Sequence, residues 1–256
     1  MIKKARRTGV LGLVLFAAIV CAGPASAADD DWQFDLALYG WLPVIDVELP
    51  SGNKSKITRD DIVNNLDMAF MGRVRALKNK WSLTTDIIYF DLEHKGREPL
   101  QPGLALRKIE LQAALIKPTV GYQVFESDKN LIELYAGGRY FWVQPTLTSE
   151  IVTLDPPDSF QDAKSDSRWD ALVGVRGRYD FSERWYVPYY ADIGTGESDS
   201  VVDLLAGVGY RFQRVDLVAA WRYLDYDFGN DFPLKTMTVN GPLIGVEFSL
   251  GRSSTD

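Results

Sequence analysis

Apolar and polar residues alternate with a period of two along almost the whole chain after residue 27. In one clear stretch, Trp169, Ala171 and Val173 alternate with Arg168 and Asp170. A period of two places successive side chains on opposite faces of an extended backbone, so each such stretch predicts a β-strand with one apolar and one polar face. Ten strands are predicted, at residues 32–42, 66–78, 81–92, 108–125, 131–146, 168–181, 185–193, 201–212, 215–228 and 236–250.

Two local features modify this pattern. In segment 108–125 the apolar set changes phase, from Ile109 and Leu111 to Val120 and Tyr122. A bulge at Lys117-Pro118 would explain the change, because one extra residue moves every later side chain to the other face and proline is tolerated there. Residues 58–65, between the first two strands, are predicted to form a helical turn.

The connections between the predicted strands alternate in length. Four are short, at residues 78–80, 126–130, 182–184 and 213–214, whereas those at 43–65, 93–107, 147–167, 194–200 and 229–235 are mostly longer. Outer-membrane barrels have short periplasmic turns, longer external loops and both chain ends in the periplasm. The spacing therefore predicts that orientation.

The alternation alone allows two architectures. In a soluble sandwich or lipocalin-like barrel the apolar face points inward, whereas in a membrane barrel it points outward. Aromatic residues near the strand ends, strands longer than the soluble mean of ~5–6 residues and charges in the middle of the polar faces favour the membrane barrel. We predict an all-β fold, a single antiparallel transmembrane β-barrel of about ten strands, with eight strands as the alternative.

Composition changes this picture in one respect. The chain is 46% hydrophobic with a mean hydropathy of −0.12, values that on average resemble those of a soluble protein. No stretch reaches the ~18 consecutive apolar residues of a membrane-spanning helix, so a helical membrane protein is excluded. The average is moderate because an apolar face and a charged face contribute equally to it.

The first 27 residues are typical of a cleaved secretory signal peptide. A basic start that includes Lys3 and Arg7 precedes a short apolar core, and Ala25-Ser26-Ala27 offers the small residues that a signal peptidase accepts. An N-terminal anchor is the alternative, although the apolar core is shorter than a ~20-residue span. Residues 28–256 are predicted to form the barrel domain.

Removal of this segment changes the charge and the cysteine count. The segment carries four basic and no acidic residues, so the rest of the chain has 24 Lys and Arg against 35 Asp and Glu, a net charge of −11. Nucleic acid is therefore not expected as a partner, since phosphate binding needs clustered positive charge. The single cysteine, Cys21, lies in the segment, so disulfides are not expected either.

Several stretches resemble a little-characterised group of proteobacterial outer-membrane β-barrel proteins. They are Gly40-Trp41-Leu42-Pro43, Asn64-Asn65-Leu66-Asp67, Gly72-Arg73-Val74, residues 81–92 and residues 221–228. The resemblance implies export, an outer-membrane location and a small monomeric barrel, with lipid, lipopolysaccharide and the barrel-assembly machinery as partners. It brings no established activity. Such barrels usually end on an aromatic residue, whereas here Phe248 is followed by Ser249-Leu250 and a polar tail at 251–256.

The polar faces carry the candidate functional residues. By phase, eleven acidic and nine basic residues are predicted to face the lumen. The acidic residues are Asp35, Asp67, Asp86, Glu110, Glu133, Asp170, Asp180, Asp192, Asp203, Asp216 and Glu247. The basic residues are Arg73, Arg75, Lys108, Arg139, Arg168, Arg176, Arg178, Arg211 and Arg222. Since a ten-stranded barrel is narrow, we expect most of these charges to pair.

Two functions are compatible with this lumen: a sealed structural core of ion pairs, or a narrow path for small solutes and ions. The alternative of a different class is an outer-membrane enzyme or surface-binding protein that uses its external loops. His94, beside Glu93, is the one histidine in the sequence and so the one imidazole base, and we do not expect an enzyme. Loop carboxylates such as Glu150 and Asp155 are compatible with divalent cations shared with lipopolysaccharide, and a solvated acidic loop is the alternative. No motif indicates a cofactor or a bound structural metal.

Overall fold

The computed structural model describes residues 32–101, 104–151, 158–163, 165–213, 215–229, 232 and 234–250. The description of residues 94–101, 104–109, 147–151 and 158–163 is confined to the backbone. The predicted signal peptide, the polar tail 251–256 and Asp155 lie outside the described residues, as do the side chains of His94, Lys108 and Glu150.

The described residues form thirteen strands and one helix. In chain order these are β1 (Gln33–Trp41), β2 (Val44–Glu48), β3 (Lys54–Ile57), α1 (Arg59–Asn65), β4 (Leu66–Lys78), β5 (Trp81–Gln101), β6 (Leu104–Glu126), β7 (Asn130–Ile151), β8 (Asp158–Ala163), β9 (Asp166–Asp180), β10 (Trp185–Gly196), β11 (Ser200–Arg211), β12 (Val215–Asp227) and β13 (Thr236–Leu250).

Ten of these strands close into an antiparallel barrel. The order is β1-β4-β5-β6-β7-β9-β10-β11-β12-β13, and β13 pairs with β1 to complete the ring. The predicted fold class and strand number are therefore confirmed. The three remaining strands extend the wall at one end, where β2 pairs with β13, β3 with β2, and β8 with β7.

The local sequence explains one connection at each end of the barrel. At the turn end, Lys78 and Trp81 are joined by Asn79-Lys80, and Asn79 has a φ of 54°, a left-handed conformation that asparagine tolerates. At the opposite end, called the loop end, α1 begins at the predicted place. Thr58 caps it, since its hydroxyl accepts from the Asp61 amide while Asp61 accepts from the Thr58 amide at 2.8 Å.

Three predicted loops are largely strand. Residues 93–107 belong mostly to β5 and β6, residues 147–167 include parts of β7 and β9 and all of β8, and residues 194–200 contain only three residues outside strands. The polar side chains there do not alternate with apolar ones, but backbone pairing continues regardless of side-chain polarity. β5, β6 and β7 have 21, 23 and 22 residues, about twice the 9–11 residues that cross a bilayer. At ~3.3 Å per residue, each strand is about 70 Å long.

The predicted bulge at Lys117-Pro118 is also wrong. Asp86 lies opposite Lys117 and Thr85 opposite Pro118 in unbroken register. Consequently Ala113, Leu115, Lys117 and Thr119 all face the barrel interior and are buried. The apolar set changes phase because the barrel interior changes from apolar to polar along β6.

The outer surface is apolar and carries two aromatic belts. The belt at the turn end contains Trp32, Phe34, Trp81, Tyr122, Phe181, Trp185, Tyr210 and Phe212. The belt nearer the loop end contains Phe70, Tyr89, Tyr140, Trp169, Trp221 and Tyr223. On β9, Trp169 and Tyr179 lie ten residues apart, which at a tilt of ~40° spans about 25 Å, the height of an outer-membrane apolar band.

Among the residues that the structure describes, no helix has both the length and the apolar character needed to cross a membrane.

Candidate functional site

The interior of the barrel has three levels. A polar cavity of about 160 Å³ lies toward the turn end, a layer of buried ion pairs lies above it, and an apolar cavity of about 420 Å³ lies toward the loop end. The ion-pair layer is defined by three carboxylates and three cations. Its members are Asp86, Asp192, Asp203, Lys117, Arg139 and Arg222.

Asp203 lies at the centre of the ion-pair layer. Its Oδ2 accepts from Lys117 Nζ at 2.8 Å and from Arg139 Nη2 at 3.0 Å. Arg222 binds both carboxylate oxygens, from Nε to Oδ1 at 3.0 Å and from Nη2 to Oδ2 at 2.9 Å. The Tyr190 hydroxyl donates to Oδ1 at 3.0 Å. Charged donors and a bidentate guanidinium make these strong hydrogen bonds.

Asp192 carries the second carboxylate of the layer. It accepts from Arg139 at 2.6 Å, from Lys117 at 3.0 Å and from the Tyr135 hydroxyl at 2.8 Å. Lys117 and Arg139 therefore each bridge two carboxylates. Because β6, β7, β10 and β11 supply these side chains, the layer joins strands that are not neighbours in the wall.

Asp86 completes the layer on the other side of the lumen. It accepts from the Tyr39 hydroxyl at 2.7 Å and from Arg222 at 3.2 Å. With three positive and three negative charges, the layer is neutral. The attraction between these charges offsets the free energy of desolvation that each buried ion would cost alone. Asp203 and Arg139 are fully buried, so water does not reach the centre of the layer.

A second group of charges lies below the layer. Glu133 is fully buried and accepts from Arg75 and Arg176, each at 2.5 Å, and from the Ser82 hydroxyl at 2.7 Å. Arg211 pairs with Asp180, which also accepts from Arg178 at 3.2 Å. The polar cavity is lined by Arg73, Glu247, Asp216 and Tyr186 among others.

The remaining predicted lumen residues occupy the inner face with other neighbours. Asp35 lies opposite Arg75 in the β1–β4 register. Asp170 is buried nearer the loop end and accepts from the Ser198 amide at 2.8 Å. Arg168 stacks on the Phe232 ring with its guanidinium carbon 4.8 Å from the ring centroid.

Two predicted lumen residues lie elsewhere. Asp67 is exposed, at the register shift between Leu66 and Met68 where β4 begins. Glu110 falls on the outer face of β6, since the odd-numbered residues from Ala113 to Thr119 face inward without interruption. The prediction for Asp67 is wrong because a register shift lies at the start of β4. The prediction for Glu110 is wrong because the bulge expected at Lys117-Pro118 is absent from β6.

Sequence reasoning missed Lys117 and the three tyrosines that donate to the layer, Tyr39, Tyr135 and Tyr190. The sequence predicts a bulge at Lys117, whereas the unbroken register from Thr119 places its side chain inside the barrel. By phase these tyrosines fall on the polar faces, and the sequence indicates no role for them. Each donates its hydroxyl to a carboxylate of the layer, as buried tyrosines generally do.

The apolar cavity is the feature that the sequence did not indicate. Its floor and walls are formed by inward-facing residues of seven barrel strands, and its roof by the hairpin β2–β3 and by α1. Ile88, Ala113 and Leu224 lie deepest, each less than 5% exposed. Ile62 of α1 packs on this apolar core, and Arg59 fastens the helix by donating to the Leu42 carbonyl at 3.2 Å.

Trp41 stands between the cavity and the ion-pair layer. Its ring faces Arg222, with the guanidinium carbon 5.0 Å from the ring centroid, and its Nε1 donates to the Gly241 carbonyl at 3.2 Å. The indole thus presents an apolar face to the cavity while its polar atom is satisfied in the wall. Beside the cavity, Phe141, Tyr226, Phe228 and Phe232 stack and fill the rest of this level.

Outside the predicted membrane-spanning segments, salt bridges of Glu48 connect the roof of the cavity to the barrel wall. Lys235 and Lys54 lie 3.4 Å from its carboxylate oxygens. Hydrogen bonds from these two lysines, that of Lys235 first, lower the pKa of Glu48. Within the described part of the chain, no group of histidine, cysteine and carboxylate side chains is arranged to hold a metal ion.

No protein-family model and no curated protein matches the sequence. Solved structures of barrels are similar at low identity. Ail of Yersinia pestis, in complex with the heparin analogue sucrose octasulfate, is 8% identical with a TM-score of 0.39 over 86% of this chain and 98% of that one. The AIDA-I transport unit from Escherichia coli is 9% identical, TM-score 0.38, over 91% and 94%. The toluene transporter TodX of P. putida is 12% identical, TM-score 0.32, over 87% and 90%.

Proposed function

We propose that this chain is an outer-membrane β-barrel protein that holds a small, uncharged, apolar molecule in its external half. The observation that carries the proposal is the apolar cavity of about 420 Å³ directly above a neutral, buried ion-pair layer. In this arrangement the lower half of the lumen closes the barrel to ions, and the upper half offers a binding site.

The outer surface supports the membrane location. Ile193, Val173 and Ile244 are about 60% exposed on the barrel wall between the two aromatic belts. An apolar band of this height flanked by aromatic residues is the surface that a bilayer solvates. The short turns then face the periplasm and the cavity faces the cell exterior. Export through a cleaved signal at 1–27 belongs to the same proposal.

The cavity lining defines the ligand class. The lining residues are almost all aliphatic or aromatic, and the Tyr39 hydroxyl among them already donates to Asp86. A ligand with a charge or several hydrogen-bonding groups would lose its hydration here without compensation. A cavity of 150 Å³ holds benzene, so this one accommodates a molecule of roughly two to three times that size.

Of the two lumen functions that the sequence allowed, the buried layer supports the sealed one. No contact of a described side chain favours catalysis, so the expectation that the chain is not an enzyme stays a proposal. Association with lipopolysaccharide, insertion by the barrel-assembly machinery and a monomeric state are likewise proposals, which follow from the membrane location.

Binding of N-phenyl-1-naphthylamine to the protein in lipid nanodiscs tests the proposed function. We expect saturable fluorescence above that of protein-free nanodiscs. Ala113→Phe and Val239→Phe, which place a ring in the cavity, are expected to weaken binding by about tenfold, or about 1.4 kcal/mol. Ala219→Phe, on the lipid-facing side of β12, is the matched control and should bind as the parent does. Absence of saturable binding to the parent would overturn the proposal.

A further inference from the structure

One seam of the barrel wall is only partly paired. The β1–β4 register runs from Gln33 opposite Leu77 to Leu38 opposite Gly72 and ends there. Beyond this point β1 continues to Trp41, paired with β13 alone, and β4 continues to Leu66, paired with β5 alone. In the loop half of the barrel, the described backbones of β1 and β4 therefore run without a shared ladder.

The gap has two structural marks. A Cβ placed on Gly40 would meet nothing within 4 Å, whereas one on Gly72, at the end of the paired part, would lie 3.2 Å from the Ala37 carbonyl oxygen. Across the gap, the Trp41 amide donates to the Met71 sulfur at 3.3 Å. A thioether is a weak acceptor on a flexible side chain. This contact takes the place of a ladder hydrogen bond, and breaking it to separate β1 from β4 costs little free energy.

The apolar cavity reaches the outer surface at this seam. Gly40 and Trp41 of β1 and Ala69 and Met71 of β4 line it. Leu66, where β4 begins, also lines it and is 44% exposed. On the outer surface beside the gap, Met68 and Phe70 are half exposed. An apolar surface is thus continuous from the deep end of the cavity to the lipid-facing wall.

We infer that the unpaired seam between β1 and β4 is a lateral passage through which the apolar ligand moves between the cavity and the outer leaflet. The inference rests on the proposed function. At the other strand pairs around the cavity a ligand would have to break backbone hydrogen bonds, such as those of the thirteen-residue register between β12 and β13. At the loop end, Ile57 of β3 and Ile62 of α1 belong to the roof and cover the cavity.

Cross-linking tests the passage. The predicted mature chain contains no cysteine, so introduced pairs are the reactive ones. Continuation of the β1–β4 register would place Gly40 opposite Phe70, whereas Gly40 lies opposite Ile244 across the paired seam with β13. Gly40→Cys/Phe70→Cys and Gly40→Cys/Ile244→Cys are therefore a matched pair, each joined by a reducible bis-methanethiosulfonate reagent.

We expect the cross-link at 40 and 70 to slow N-phenyl-1-naphthylamine association in nanodiscs by about tenfold or more, and reduction to restore the rate. The cross-link at 40 and 244 should leave the rate unchanged. Gly40→Trp, which fills the gap directly, should slow association in the same way, whereas Ile244→Trp should not. Equal association rates in all four proteins, with saturable binding retained, would overturn the passage alone. Loss of saturable binding in the parent would overturn the proposed function instead.

Discussion

Asp203 of β11 and Arg222 of β12 form a two-point ion pair in the centre of the barrel, diagonal to each other in the register of the two strands. Asp203 lies opposite Leu224, and Arg222 lies opposite Leu205. The diagonal offset lets the long guanidinium also reach Asp86 on β5. One side chain therefore connects two carboxylates from opposite parts of the wall.

This relationship predicts the effect of removing the cation. Arg222→Met leaves Asp203 and Asp86 buried with one positive charge fewer, and loss of one partner of a buried pair costs about 3–5 kcal/mol. We expect the free energy of unfolding in urea, followed by heat-modifiable gel mobility in vesicles, to fall by about that amount. Arg184→Met, in an exposed turn, is the control and should stay within about 0.5 kcal/mol of the parent. Equal stability of the two variants would contradict the structural role of the layer.

The same layer predicts electrical behaviour. Because Asp203, Arg139 and Glu133 are fully buried and paired, a hydrated ion finds no water-filled path through the middle of the barrel. In planar bilayers the protein should insert without steady conductance in concentrated potassium chloride, whereas a porin in the same bilayers conducts. Steady, reproducible conductance steps from the purified protein would show that the lumen is open.

The outer wall predicts a depth-dependent cost of charge. Val173 is 58% exposed on the lipid-facing side of β9, between the two belts. Val173→Arg should lower the free energy of unfolding in vesicles by about 2–4 kcal/mol, the cost of arginine near the bilayer midplane. Thr195→Arg, exposed at the loop end of β10, opposite Ala171 and close to the belt residue Trp169, should cost only about 0–1 kcal/mol, the value near the interface. On a water-exposed wall both substitutions would be nearly neutral.

The roof of the cavity predicts a pH dependence. Hydrogen bonds from Lys235 and Lys54 lower the pKa of Glu48, so the folded hairpin favours the ionised form. A lowered folded-state pKa contributes stability above the unfolded value of about 4.3, and this contribution is lost as pH falls through the folded value. After correction for intrinsic rates, hydrogen exchange of the Val44–Glu48 amides should accelerate below about pH 4. Glu48→Gln should remove that acceleration, and a variant that retained it would exclude Glu48 as its source.

Much of the architecture was predictable because it is encoded locally. The outer face of each strand meets lipid, so Leu204, Val208 and Leu217 are apolar wherever the strand crosses the bilayer. Thr58 and Asp61 cap α1 by contacts within one turn of chain. The short turns, such as Asn79-Lys80, also depend on neighbouring residues only. The sequence missed the strand extensions beyond the bilayer because polar residues on both faces remove the period-two signal.

The interior was less predictable because its neighbours are distant in the chain. Lys117 and Asp203 are 86 residues apart, and only the register around the barrel brings them within 2.8 Å. The residues that line the apolar cavity carry the same alternation as those on the lipid face, so an apolar lumen cannot be told from a lipid-facing wall by polarity alone. The sequence by itself determined the ten-stranded barrel and its outer surface. The tertiary structure decided which charges pair, where the lumen becomes apolar and where the β1–β4 ladder ends, because each depends on how strands far apart in the chain are registered against one another.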